Sequence, residues 1–242
     1  MISKGKLSLL CLLAVFAASL AASSTAAAAE VLPSFISEKV ELEEEHAGVG
    51  KLKEFFFEVK NLNFGVGCFG VDNKVEIGAE MHSKLTIEFT ECFVYNLFHE
   101  VQNQCKVKEP IVIKLRDQLV YKNHKEGEEI FDIFYPDEEV GKSKFHAGVM
   151  TTVTIEGALC TIKGKYEIKG SAIAVPSPNT PGKEERVVKI NFNGKEAPTG
   201  TYENEERKEL EEAGKMVLNG ETVYLKGDIE QELKTGAKWG AE

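Results

Sequence analysis

FHAGVMTTVTIEGALCTIKGKYEIKGSAIAV, residues 145–175, is the stretch around which the rest of the chain is read. From Cys160 the apolar residues Cys160, Ile162, Tyr166 and Ile168 fall on even positions, with Thr161, Lys163, Lys165, Glu167 and Lys169 between them. A period of two is the pattern of a strand with one face buried. The run before it places Val149, Val153 and Ile155 on odd positions, so the phase must change at Gly157-Ala158, where a turn or bulge is the least costly device. A second change follows Gly170, because Ile173 and Val175 are odd again, and it reads as a bulge or crossover bend. Two long strands in succession predict an all-β fold, an antiparallel β-sandwich or barrel with little helix outside an N-terminal leader.

Outward from this hairpin the same signals recur. Leu85, Ile87 and Phe89 alternate with polar residues in a strand expected to end at Cys92. Phe55, Phe57 and Val59 share one face, with Glu58 between them for solvent, and short strands at residues 62–64 and 75–77 flank a glycine cluster. The aromatic segment between Cys92 and Cys105 reads as a loop or short hairpin. Ile111 to Tyr121 makes a long strand or strand pair, and Ile130 to Tyr135, apolar on both faces apart from Asp132, predicts a covered strand. Residues 176–182 hold three prolines and are placed outside any sheet. Val188, Ile190 and Phe192 form a further strand. Residues 203–213 carry Leu210 as their one large apolar residue, too little for a packed helix face, so irregular structure or an edge strand is expected. A hairpin from Met216 to Leu225 around Asn219-Gly220 follows.

Residues 1–29 carry Lys4 and Lys6, an apolar run from Leu7 to Leu20, and small residues ending at Ala27-Ala28-Ala29. That is the layout of a secretory signal peptide cleaved before Glu30. It leaves residues 30–242 as a single secreted β domain, extracellular and without a membrane span. A lipoprotein reading at Cys11 is disfavoured by the bulky Leu10 before it. The formal net charge of −10 becomes about −12 once the two leader lysines are gone. Phosphate binding relies on Lys and Arg displacing counterions, so a chain this acidic is not expected to bind nucleic acid.

Four cysteines remain: Cys68, Cys92, Cys105 and Cys160. Even parity in an exported chain predicts two disulfides, with three pairings open. The preferred one joins Cys92 to Cys105 across the aromatic segment, and Cys68 to Cys160, because Cys160 falls in phase with Ile162 on a buried face.

Chemical motifs fail on their context. Gly65-x-Gly67-x-x-Gly70 matches the dinucleotide fingerprint, but a turn at Val71 to Lys74 and a short strand are expected where a helix is required. His99-Glu100 opens like a zinc-protease signature, yet Asn103 stands where the second histidine ligand belongs. There is no G-x-S-x-G elbow and no D-x-D-x-D-G calcium loop. The single tryptophan, Trp239, lies near an end expected to fray. No catalytic, cofactor-binding or metal-binding residue is therefore assigned, and no cofactor is expected.

The leader followed by Leu32-Pro33-Ser34-Phe35, the run Lys84 to Cys92, and Cys160-Thr161-Ile162-Lys163-Gly164 continuing to Gly170-Ser171 are together similar to a group of uncharacterised exported proteins of high-GC Gram-positive bacteria. The likeness extends to Tyr202-Glu203-Asn204-Glu205 and implies an exported β-rich protein with no activity to carry over. The functional expectation is a secreted, non-enzymatic binding or structural protein of the cell envelope or extracellular space, its ligand or partner unknown. A barrel carrying an apolar ligand, suggested by the 14 phenylalanines, and a secreted hydrolase are the alternatives.

Overall fold

A computed structural model describes residues 33–37, 40–42, 46–77, 82–124, 128–137, 148–193, 202 and 213–242. Residues 1–29, the segment read as a signal peptide, and residues 203–212 of the charged segment near the C-terminus lie outside them. The strands are β1 (Phe35–Ser37), β2 (Val40–Glu41), β3 (His46–Val59), β4 (Phe64–Ile77), β5 (His82–Asn96), β6 (Val101–Val107), β7 (Ile111–Tyr121), β8 (Ile130–Pro136), β9 (Val149–Glu156), β10 (Gly164–Gly170), β11 (Ala172–Ser177), β12 (Lys183–Glu185), β13 (Val188–Asn193), β14 (Met216–Leu218), β15 (Glu221–Thr222), β16 (Tyr224–Leu233) and β17 (Trp239–Ala241). Among the described residues the helical pieces are two short 3-10 turns, Lys60–Leu62 and Lys122–His124.

The architecture is a closed antiparallel barrel. Its wall runs β5-β4-β3-β16-β13-β11-β8-β7, and β7 pairs back onto β5 from Phe89↔Ile111 to His82↔Gln118, so this circuit has no free edge. Alternation fills the inside: Leu85, Ile87 and Phe89 of β5 meet Ile111, Ile113 and Leu115 of β7, all buried. Phe57, Phe89, Phe55, Phe192 and Phe134 form a run of ring contacts at 5.1–5.7 Å between centroids. Each such ring contributes about 1.5–3 kcal/mol by leaving water. Outward positions such as Lys84, Glu88, Lys114, Lys226 and Asp228 are polar, the reverse of the lipid-facing apolar band of a membrane barrel. No helix among the described residues is long and apolar enough to cross a membrane.

β5 is longer than the barrel needs. Beyond Phe89 it leaves β7 and pairs with β6, and the sheet continues through β9, β10, β14 and β15. The fork lies at Glu91, whose φ of 52° breaks the extended backbone. There the Glu109 carboxylate accepts hydrogen bonds from the backbone N–H groups of Glu91 (3.0 Å) and Cys92 (2.6 Å). Unpaired backbone donors are costly, so one carboxylate serves both where the sheet divides. Buried positions change parity across the fork, from Phe89 to Val94 in β5 and from Val75 to Val66 in β4.

The β9–β10 hairpin forms with the expected turn, where Gly157 has a φ of 136°, and Gly170 at 105° carries the crossover that sends β11 into the barrel. Three expectations are corrected. β10 begins at Gly164 and not Cys160, because residues 157–163 are turn. β5 continues through Cys92 to Asn96, and β4 is one strand from Phe64 to Ile77, including the residues assigned to a glycine turn. Pro176 sits inside β11 opposite Ile190; β8 stops pairing at Ala174, so the missing N–H breaks no ladder bond.

β8 is buried on both faces as expected. Ile130 and Phe134 join the main core, while Phe131, Ile133 and Tyr135 pack with Val120, Ile173 and Tyr202 in a second cluster outside the wall. Trp239 is not frayed: it is 2 % exposed in β17, which pairs with β1 and β12, and its ring lies 6.0 Å from Phe35. The Asn219-Gly220 hairpin joins β14 to β15, with φ of 52° and 85° at its two turn residues.

Two disulfides form, with the pairing reversed from expectation: Cys68–Cys92 and Cys105–Cys160. Cys68 and Cys92 are direct cross-strand partners on β4 and β5, with Cα atoms 4.0 Å apart. β6 runs beside β9, which brings Cys105 to 4.9 Å from Cys160 in the following turn.

Candidate functional site

The glycine motif that fails as a phosphate loop has another role. Gly65 and Gly67 of β4 lie between Phe56 on β3 and Phe93 and Tyr95 on β5, in the cross-strand rows Glu58-Gly65-Tyr95 and Phe56-Gly67-Phe93. A Cβ on Gly65 would fall 2.3 Å from the Tyr95 ring, and one on Gly67 2.6 Å from Phe93 and 2.8 Å from Phe56. The missing side chains are the space in which rings from the two flanking strands fold over the sheet. Phe56 meets Phe93 and Tyr95 edge-on at 6.4 and 5.9 Å, Phe69 stacks on Phe93 at 4.9 Å, and His99 stacks on Tyr95 at 5.5 Å. Burial first, and the nearby Glu58 carboxylate second, push the Tyr95 hydroxyl pKa upward. Such pairs strengthen a sheet by themselves. This set also forms a surface, since Phe69 is 50 % exposed and Val101, next to Tyr95 on β6, equally so.

The apolar surface continues to the β5–β6 tip, where Leu97 is exposed and Phe98 is 83 % exposed. The tip is fixed by Asn96: its Oδ1 accepts from the N–H groups of Phe98 (2.9 Å) and Glu100 (3.0 Å), and its carbonyl accepts from that of His99 (2.9 Å). His99 is thus a turn residue stacked on an aromatic. Leu159, also 83 % exposed, stands beside Cys160 in the turn that the second disulfide ties to β6.

On the other side of Phe56 the outer face becomes polar. Lys51, Glu54, Phe56, Lys189, Asn191, Lys226, Asp228 and Glu230 line an open groove of about 870 Å³ on β3, β16 and β13. Cross-strand register organises it: Lys189 pairs with Glu230 at 3.2 Å, and Asn191 Nδ2 donates to Asp228 Oδ1. The register slips between Gly227 and Ile229, and a Cβ on Gly227 would meet Phe55 at 2.6 Å and the Glu54 carbonyl at 2.7 Å. Glycine therefore lets β16 approach β3 at the floor of the groove.

Inside the barrel, one apolar gap lined by Phe55, Phe134, Met150, Phe192 and neighbours is about 10 Å³. That is roughly the space of one water. Two carboxyl groups also face inward. Asp117 on β7 accepts from the Ser83 N–H and hydroxyl, and the Asp132 carboxyl on β8 is pushed well above the usual carboxylate range, by burial first, then by the Asp117 charge and a hydrogen bond to Asp117. An acid beside a carboxylate has the makings of acid–base chemistry, but both are only 2 % exposed. Among the described residues no three His, Cys, Asp or Glu side chains converge as a metal site requires.

Sequence reasoning missed this outer surface. The available signal was an aromatic in the solvent phase: Phe56 falls between the inward Phe55 and Phe57, and Phe93 and Tyr95 flank the inward Val94. No protein-family model, curated protein or solved structure matches the chain.

Proposed function

We propose that this is a secreted, non-enzymatic binding protein whose ligand surface is the aromatic face of β3, β4 and β5 together with the groove beside it. The observation that carries the reading is the pair of glycines, Gly65 and Gly67, over which Phe56, Phe93 and the buried Tyr95 are laid beside the exposed ring of Phe69. Glycine weakens a strand interior, so two of them in a 14-residue strand cost stability that exposed aromatic area on a sheet does not need. Rigid aromatic rings with few rotatable bonds are what binding surfaces favour. Two disulfides are compatible with an extracellular setting.

The interior ring contacts among Phe55, Phe57, Phe89, Phe134 and Phe192 favour an outer binding surface over an apolar-ligand carrier, and the burial of Asp117 and Asp132 favours it over a hydrolase. The test is retention of the purified mature chain on the insoluble envelope fraction of the producing cells. Phe69→Ser with Phe93→Ser should lower retention by roughly tenfold while the thermal transition stays cooperative. Equal retention of the variant would refute the assignment.

A further inference from the structure

We infer that the groove bounded by Phe56, Asn191, Lys226 and Asp228 is a binding site for uncharged carbohydrate chains. This rests on the reading of the protein as a binding protein and names the ligand class. Three lysines in the groove are matched by three carboxylates, and cross-strand pairing already joins Lys189 to Glu230. A phosphate or sulfate polymer needs an excess of cations and a basic peptide an excess of anions; this groove supplies neither. An apolar ligand needs a largely apolar lining; of the two aromatic residues at this groove, Phe192 is buried in the barrel core and Phe56 stands on the outer face among polar side chains.

A sugar fits what remains. Each hydroxyl both donates and accepts, matching a lining that mixes an amide, carboxylates and ammonium groups, and the C–H face of a pyranose ring packs on an aromatic such as Phe56. Asn191 and Asp228 are held to each other across β13 and β16, so the polar contacts are preorganised before a ligand arrives. The volume of about 870 Å³ lies within the usual range for ligand sites, and the groove opens to solvent, so a chain of several sugar units can lie across the strands.

The test is a printed array of neutral and acidic oligosaccharides probed with the intact mature protein, followed by calorimetry on whichever glycan binds. The expected result is binding to a neutral glycan that changes less than about twofold between about 0.05 and 0.5 M salt. Asn191→Ala with Asp228→Ala, and separately Phe56→Ala, should each weaken it by roughly tenfold or more, while Lys114→Ala on the outer face of β7 leaves it unchanged. Circular dichroism and the thermal transition of each variant show whether it is folded, and Lys226→Ala gives a second probe of the groove on the neighbouring strand.

Three results would overturn the inference: no neutral glycan bound by the wild type, binding confined to acidic glycans and lost with salt, or binding that survives both groove variants. Envelope retention that still depends on Phe69 and Phe93 would then keep the binding-protein reading and discard only the sugar. Glycan binding that requires Asn191 and Asp228, with retention indifferent to Phe69 and Phe93, would do the opposite for the aromatic face.

Discussion

In the chain from residue 30 onward, replacing Cys105 alone by serine should leave one reactive thiol, on Cys160, because Cys68 and Cys92 remain joined across β4 and β5. The two bridges close separate loops of 24 and 55 residues that do not overlap, so their effects on the unfolded chain are expected to add. In the chain-entropy treatment Cys68–Cys92 contributes about 3.5 kcal/mol and Cys105–Cys160 about 4 kcal/mol. Against a typical domain stability of about 5–15 kcal/mol, the protein survives loss of either bridge but is marginal without both. Urea unfolding of Cys68→Ser/Cys92→Ser and of Cys105→Ser/Cys160→Ser gives the two free energies, and alkylation followed by peptide mapping of Cys105→Ser gives the partner. A labelled Cys92 in that variant would refute the pairing and with it the placement of β6 beside β9. A cost below about 1 kcal/mol for the longer loop would show that the β9–β10 turn is held by packing and not by the cross-link.

Asp132 keeps its proton in the folded barrel at a pH where the unfolded chain, near its ordinary value of 3.8, has lost it. Its contribution is therefore fully present below about pH 4 and is lost as pH rises toward the folded pKa. Asp132→Asn, which still donates to Asp117, should raise the thermal midpoint at pH 8 and change it little at pH 3.5; a uniform shift at both would count against the shared proton. Phe89→Ala, in the middle of the interior ring contacts, should cost about 3–5 kcal/mol in denaturant unfolding, while Lys114→Ala on the outer face stays within about 0.5 kcal/mol. Gly67→Ala places a methyl against Phe93 and Phe56 and should cost about 1–3 kcal/mol, with envelope retention falling in parallel; a neutral effect on both would mean the rings move aside freely.

Much of the strand pattern and of the buried face was readable from the period of two. Leu85, Ile87 and Phe89, the β9–β10 hairpin with its phase changes at Gly157 and Gly170, the two-sided burial of β8 and the Asn219-Gly220 turn were all legible, because each depends on local backbone geometry and on which residues avoid water. Even cysteine parity likewise pointed to two bridges. Tertiary structure alone decided which strands are neighbours. Closure of β7 onto β5, the fork at Glu91 and the side-by-side placement of β6 and β9 are contacts between residues far apart in the chain, and no local pattern encodes them. That is why the disulfide partners came out reversed, and why Trp239, near the C-terminus, proved buried against Phe35. The candidate surface belongs to the same class. Phe56, Gly67 and Phe93 each break a local pattern but become a row only when three strands pair, since cross-strand register, which no single strand specifies, brings a missing side chain between two rings.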